Sequence, residues 1–314
     1  MILHRFAGIG WSEALHSLGL EDIGLELNAD ACRTRVGAGH TTIRCDVTQY
    51  PTWPFKGRTA GAIDSPPCPP FSKSGNGKGA HDLPLVLQAI EDLARGKDTR
   101  TTLGAACQDE RSILTAEPMR WHYDLMPGWI CMEQVPSVLP VWELYAQILR
   151  RWGYSAATGV VDAAGYGLWQ HRKRAVLLAS RTRDITLPAL THGEPGLLPL
   201  APMADGVGWG YTQRPAPTVT GGGTATGGAE PFGNGTRRAM RAAMGTPFWR
   251  DRGDGGTRPS LTDCARLQGF RPDLEFHGRA GSRHLQVGNA VPPPLAAVLI
   301  RAAADLSVRH LAAA

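Results

Sequence analysis

The sequence lacks several features that would place it quickly. None of its six cysteines, Cys32, Cys45, Cys68, Cys107, Cys131 and Cys264, pairs with another at Cys-x-x-Cys spacing, so it offers no metal ribbon or dithiol motif. No apolar run is long enough to cross a bilayer. The first residues enter an apolar run directly, with no basic segment before a long hydrophobic one, so no signal peptide is expected. No internal repeat is visible, which argues against a solenoid. Charged residues make up only 19% and the net charge is +5, a mild basic excess that suits a nucleic-acid partner without requiring one. These absences favour a cytoplasmic chain with reduced thiols, no metal and no membrane contact, and a monomer is the default.

Other features are plentiful. Apolar residues reach 42% of 314, ample for a buried core. Glycine numbers 38, with much of it between Gly193 and Gly256, so that stretch should be rich in loops. Short apolar runs at Met1–Phe6, Ile23–Glu26, Thr42–Val47, Ala60–Asp64, Trp129–Met132, Thr158–Val161 and Val176–Ala179 read as strands. Amphipathic stretches alternate with them, one capped by Ser12, others over Leu83–Leu93, Val141–Trp152 and Pro293–Leu311. Strands separated by helices predict an α/β, doubly wound parallel sheet covered on both faces. The periodicity dissolves after Arg181 and returns at Leu261. The expected organisation is a core over 1–180, an irregular module over 181–257, and a return to the core over 258–314.

The chemistry-bearing residues stand where such folds place sites, at the carboxyl ends of strands. Phe6-Ala7-Gly8-Ile9-Gly10 follows the first strand and opens a helix, where glycines let a ligand approach the backbone. Glu26 ends the second strand and suits a ribose diol; Asp46 ends the third and suits an adenine amine. The lesser alternative for the glycine motif is a tight strand-helix turn that binds no ligand. Ser65-Pro66-Pro67-Cys68-Pro69-Pro70-Phe71-Ser72 follows the fourth strand and frames one cysteine in a stiff loop, as a nucleophile requires. Glu133-Gln134-Val135 follows the fifth strand and offers a carboxyl group to a ring nitrogen. In Gln170-x-Arg172-x-Arg174 alternate residues of an extended segment share a face, so both arginines point the same way.

In order and spacing these segments resemble the DNA cytosine-5 methyltransferases. Phe6–Gly10 is similar to that family's first motif and Pro67-Cys68-Pro69-Pro70-Phe71-Ser72 to its Pro-Cys loop. Asp109-x-Arg111-Ser112-x-Leu114 resembles the fifth motif, and Glu133-Gln134-Val135 stands for Glu-Asn-Val. Gln170-x-Arg172-x-Arg174 matches unchanged, Arg266–Phe270 resembles the ninth motif, and Gln286–Pro292 the tenth. The resemblance touches most of the chain outside 75–108 and 181–257. It implies a Rossmann-like S-adenosylmethionine-dependent core with a small target recognition module, acting on cytosine in double-stranded DNA in a bacterial or phage setting, with or without a restriction partner.

By the same resemblance Cys68, Glu133, Arg172 and Arg174 are the catalytic residues. Phe6, Ala7, Gly8, Ile9, Gly10, Glu26, Asp46, Val47, Pro67, Leu114, Asn289 and Ala290 hold the cofactor. Ser72 and Gly75, on a lid running to about Ala80, and Arg214 and Arg237 in the module contact DNA. Trp209 and Trp249 are expected to form the module's own core. The departures are His4-Arg5 for Asp-Leu, Trp11 for a glycine, and Gln134 for Asn. The first two changes are expected beside the methionine end of the cofactor pocket. A transfer-RNA cytosine methyltransferase, a non-catalytic DNA binder on this fold, and a small-molecule methyltransferase are the alternatives.

Overall fold

A computed structural model describes residues 1–67, 79–222, 230–304 and 306. Cys68, Ser72 and Gly75, most of the expected lid, and 223–229 lie outside the described residues. The elements run β1 (Ile2–Arg5), α1 (Gly10–Ser17), β2 (Asp22–Glu26), α2 (Ala29–Gly37), β3 (Thr41–Arg44), β4 (Gly61–Asp64), α3 (Gly79–Leu93), α4 (Arg100–Ala106), α5 (Glu117–Leu125), β5 (Trp129–Gln134), α6 (Leu139–Arg151), β6 (Ser155–Asp162) and β7 (Lys173–Ser180). There follow α7 (Met203–Val207), β8 (Gly210–Tyr211), α8 (Asn234–Ala243), β9 (Trp249–Arg250), α9 (Leu261–Leu267), α10 (Ala280–Asn289) and α11 (Pro293–Ala303).

One seven-stranded sheet has the order β3-β2-β1-β4-β5-β7-β6. The strands from β3 to β5 pair in parallel, whereas β7 runs antiparallel to both β5 and β6. The sheet is therefore mixed, which corrects the expected all-parallel arrangement. The reason is the short β6–β7 connection over 163–172, which turns the chain back as a hairpin instead of crossing over through a helix. The reversal has a functional consequence: the beginning of β7 lies at the edge where the parallel strands end.

Alternation of side chains fills both faces. Ala62, Ile130, Met132, Ala175 and Leu177 pack under α3 and α6. Ile63, Cys131, Val176 and Leu178 face α1 and α11. In α6 the buried residues Val141, Trp142, Tyr145, Ala146, Ile148 and Leu149 recur at helical spacing, which seats one stripe on the sheet. Helix α1 starts at Gly10 without a side-chain cap; Ser12, expected as its cap, is instead buried against Asp22. Helix α2 has the capping the sequence favours, with Asn28 Oδ1 accepting from Asp30 and Ala31.

Beyond β7 the chain builds a small separate cluster. Trp209, Tyr211, Phe232, Met240 and Trp249 are buried with Cys264, Leu267, Phe270 and Val287. Trp249 lies 6.0 Å from Trp209 and 5.3 Å from Tyr211, centroid to centroid, so both tryptophans are buried as expected, in a cluster that also takes in Ile9 and residues after 258. No helix among the described residues is long and apolar enough to cross a membrane.

Candidate active site

The strand order reverses between β1 and β4, and the carboxyl edge beside that point is where doubly wound folds bind ligands. The turn after β1 is unusual in backbone. Phe6 has φ 54° and Gly8 φ 48°, and a Cβ built on Gly8 would meet nothing within 4 Å, so the turn faces open space. Glu26 is locked beneath it: Oε2 accepts from Gly8 N–H at 2.9 Å and Oε1 from Asn28 N–H at 2.7 Å. Each carboxylate oxygen retains acceptor capacity. Half-buried Asp46 turns Oδ1 to the Thr48 amide and hydroxyl. Ala7, Ile9 and Val47 are core residues, with Val47 packed beside Leu25 and Phe55. Leu114 is half-buried, Pro67 and Asn289 are exposed, and Ala290 is buried. Gly10 is required by close approach, since a Cβ there would sit 2.0 Å from the Val291 carbonyl oxygen.

The chemical half gathers at the same edge. Glu133 and Arg174 belong to β5 and β7 and share the sheet face that turns toward α1 and α11. The antiparallel register brings them together: Arg174 Nε stands 2.7 Å from Glu133 Oε1, with both side chains largely buried. Arg172 is only 1% exposed, and its two guanidinium NH2 groups donate to the carbonyls of Val219 and Gly288, each at 2.9 Å. Its donors already tie two segments of backbone together, and burial lowers its pKa well below the usual arginine value. Gln170 completes this seam: its Nε2 donates to Leu267 O and Gln268 Oε1, and its Oε1 accepts from Val219 N–H. Gln268 in turn reaches Val287 O at 2.6 Å. Thus 216–222, within the expected module, is laced onto the core.

His4 and Arg5 lie inside the protein. Both are wholly buried, one on each face of β1. His4 Nδ1 lies 3.0 Å from Asp22 Oδ2, and Arg35 reaches the same carboxylate through the space that Gly24 leaves by having no Cβ. Arg35 also donates to the Gly8 carbonyl at 3.1 Å, which connects this network to the glycine turn. Arg5 faces Asp64 across the β1–β4 register and donates to it through Nε and Nη2 at 2.6 and 2.5 Å, with His122 3.0 Å from the same carboxylate. Burial lowers the pKa of both histidines, so they are neutral inside. Burial alone would raise Asp64, but Arg5 and the hydrogen bond from His122 outweigh it and hold the carboxyl low. Trp11 is likewise interior, and its indole N–H donates to Ser65 Oγ at 2.9 Å. The signal that was available in the sequence is chemical: two ionisable residues in a strand buried on both faces need hydrogen-bonding or charged partners on the neighbouring strands, and Asp22 and Asp64 supply them.

Of the residues expected at DNA, exposed Arg214 lies 3.8 Å over the ring of Tyr211. Arg237 is paired with Glu230 at 3.2 Å and bonded to Asn234, so in this arrangement its guanidinium is engaged within the protein. Arg238 and Arg241, on the same helix α8, are exposed.

Comparison with known proteins places the chain. No family model matches it. Type II methyltransferase M.NaeI of Lentzea aerocolonigenes is 31% identical over 275 residues, which span 76% of this chain and 58% of that protein. The chain therefore accounts for less than two thirds of the length of that relative. DNA (cytosine-5)-methyltransferase 1 of Mus musculus is 60% identical over 37 residues, 12% of this chain and 2% of that protein. Among solved structures, the S. pombe Dnmt2 methyltransferase superposes with a TM-score of 0.62 at 16% identity, covering 95% of this chain and 96% of that one. The fold is that of the S-adenosylmethionine-dependent methyltransferases. In sequence the chain is a relative of the DNA (cytosine-5) methyltransferases.

Proposed function

We propose that the chain is a DNA cytosine-5 methyltransferase that moves a methyl group to cytosine C5 within a specific sequence, by way of a covalent bond between Cys68 and C6 of an extruded base. The observation that carries the proposal is the buried Glu133–Arg174 pair, set at the sheet edge where the glycine turn, Glu26, Asp46 and the start of the proline loop also converge. A fold that binds only DNA has no need of such a pair. A methyltransferase for small molecules has no need of the proline-framed cysteine that the sequence carries after β4.

Glu26, anchored by two amides, suits the ribose hydroxyls of S-adenosylmethionine, and the open space over Gly8 suits its passage along the turn. Asp46, Leu114 and Asn289 complete the proposed pocket. When bound, the cofactor supplies an electrophilic methyl group. The Cys68 thiolate attacks C6 and breaks the ring's conjugation, and Glu133 shares a proton with N3 as charge builds there. Arg174 holds the O2 side of the base and keeps Glu133 oriented. C5, now enamine-like, takes the methyl group; the C5 proton leaves to base, and elimination expels Cys68 and restores the ring. A stacked base is out of reach of this chemistry, so it is flipped out. Residues 1–180 and 258–314 form the catalytic core and 181–257 the recognition module. Exposed Arg214, Arg238 and Arg241 face phosphate, and Ser72 and Gly75 meet DNA from the loop beyond Cys68. The protein works as a cytoplasmic monomer, in restriction-modification or as an orphan.

The test is methyl transfer from radiolabelled S-adenosylmethionine to unmethylated duplex DNA, beside a transfer-RNA pool and a Cys68→Ala variant. Label in DNA 5-methylcytosine that vanishes with the variant is the expected result. Label chiefly in RNA would reassign the substrate, and label in neither would remove the proposal.

A further inference from the structure

Two departures from the family pattern meet at one place. The Ser65–Pro66–Pro67 stretch leaves β4 between side chains supplied by its two sheet neighbours. From the β1 side, Trp11 in the first turn of α1 donates its indole N–H to Ser65 Oγ at 2.9 Å. From β5, Gln134 donates Nε2–H to the Pro66 carbonyl at 2.5 Å, while its own Oε1 accepts from Val135 N–H at 2.7 Å. Both donors are held in place. Trp11 is 2% exposed and packs among Ile63, Cys131, Val176 and Leu295. The residue before it, Gly10, abuts the Val291 carbonyl so closely that α1 has no room to shift toward it. Gln134 is fastened to its own main chain. Prolines lack an N–H, so Pro66 and Pro67 cannot be fastened through backbone donors, and bonds to neighbouring groups are what can hold the stretch.

We propose that Trp11 and Gln134 are positioning residues for methyl transfer. Together they fix the start of the proline loop, and Trp11 ties it to the glycine turn, so that the cofactor turn and the loop share one frame. This rests on the methyl-transfer function proposed above. A mislaid nucleophile reacts slowly even when substrates still bind.

Ser65→Ala removes the acceptor without opening a cavity, and Trp11→Phe removes the donor. Each should lower kcat about fivefold to tenfold, the value of one hydrogen bond. KM for S-adenosylmethionine should stay within about twofold, because the pocket itself is intact. The double variant should be no slower than the slower single one, since both remove the same bond. Alkylation of Cys68 by N-ethylmaleimide, followed by peptide mass spectrometry, supplies a second readout: in Ser65→Ala its rate should change at least about threefold at a temperature well below the variant's own melt. Unchanged kcat and unchanged Cys68 alkylation in Ser65→Ala would overturn the proposal, as would a defect confined to KM. If the wild-type protein methylates nothing, the proposed function falls, and the alkylation rates still decide whether the brace exists.

Discussion

Two arginines in one short motif have opposite fates. Arg174 meets Glu133, while Arg172, two residues earlier, donates to Val219 O and Gly288 O. The sequence allowed both to face the same way but could not say which would be sealed by later segments, because those carbonyls lie far along the chain. We predict that Arg172→Ala lowers the melting temperature by leaving two carbonyls without donors, at a cost of about 2 kcal/mol. Arg174→Ala leaves the buried Glu133 carboxylate without its partner, a cost of about 3 kcal/mol, so both variants should melt earlier than the parent. Methyl transfer measured where both are still folded separates them: most of it should be lost in Arg174→Ala and much of it kept in Arg172→Ala, and an equal loss would show that Arg172 also acts at the base. His4 and Trp11 teach the same lesson. They flank the glycine turn in sequence, and alternation along β1 and the turn of α1 bury both.

At the scale of elements, strands were the most legible part of the sequence. The expected runs at Ile23–Glu26 and Ala60–Asp64 differ from β2 and β4 by a residue at one end, since short apolar runs between turn residues leave little choice. The direction of β7 was not legible, because periodicity carries no sign. Strand β1 is the exception to apolar patterning, with a buried ionisable network on each face. His4 and His122 are kept neutral by burial, their pKa values lying below the ordinary 6.5. The unfolded chain therefore binds protons that the folded chain refuses as pH falls through about 6.5, and stability is lost in that direction. Above that pH the contribution is complete. The depressed carboxyls of Asp22 and Asp64 add a second loss only in stronger acid. We predict a melting temperature that declines from pH 7.5 to pH 5.5 by calorimetry. A flat profile would show that neither imidazole needs to be neutral.

The whole molecule is closed by contacts between segments remote in sequence. Gly288 touches 220–221 so tightly that a Cβ would lie 2.1 Å from Gly221 N. Backbone cannot yield there, so Gly288→Ala should cost about 3 kcal/mol or more. Hydrogen exchange should quicken in 216–222 and 286–291 together, because Arg172, Gln170 and Gln268 bind both. Faster exchange in only one of these stretches would mean that the seam is not a unit. Such seams are the part of the architecture that motif order could not reveal: it shows which segments belong to a site, not which carbonyl each side chain will find.

The last segment, 258–304, comes back to lay α11 against α1 and Val291 against Gly10, after an exposed stretch at 251–255. Its attachment to the rest is through surface complementarity over the α1 face of the sheet more than through the peptide chain that leads to it. A gene cut within 251–255 would yield two polypeptides, each carrying apolar surface that only the other can cover. Methyl transfer would then become an obligate property of the reunited pair, switched by whether both halves are made in the same cell.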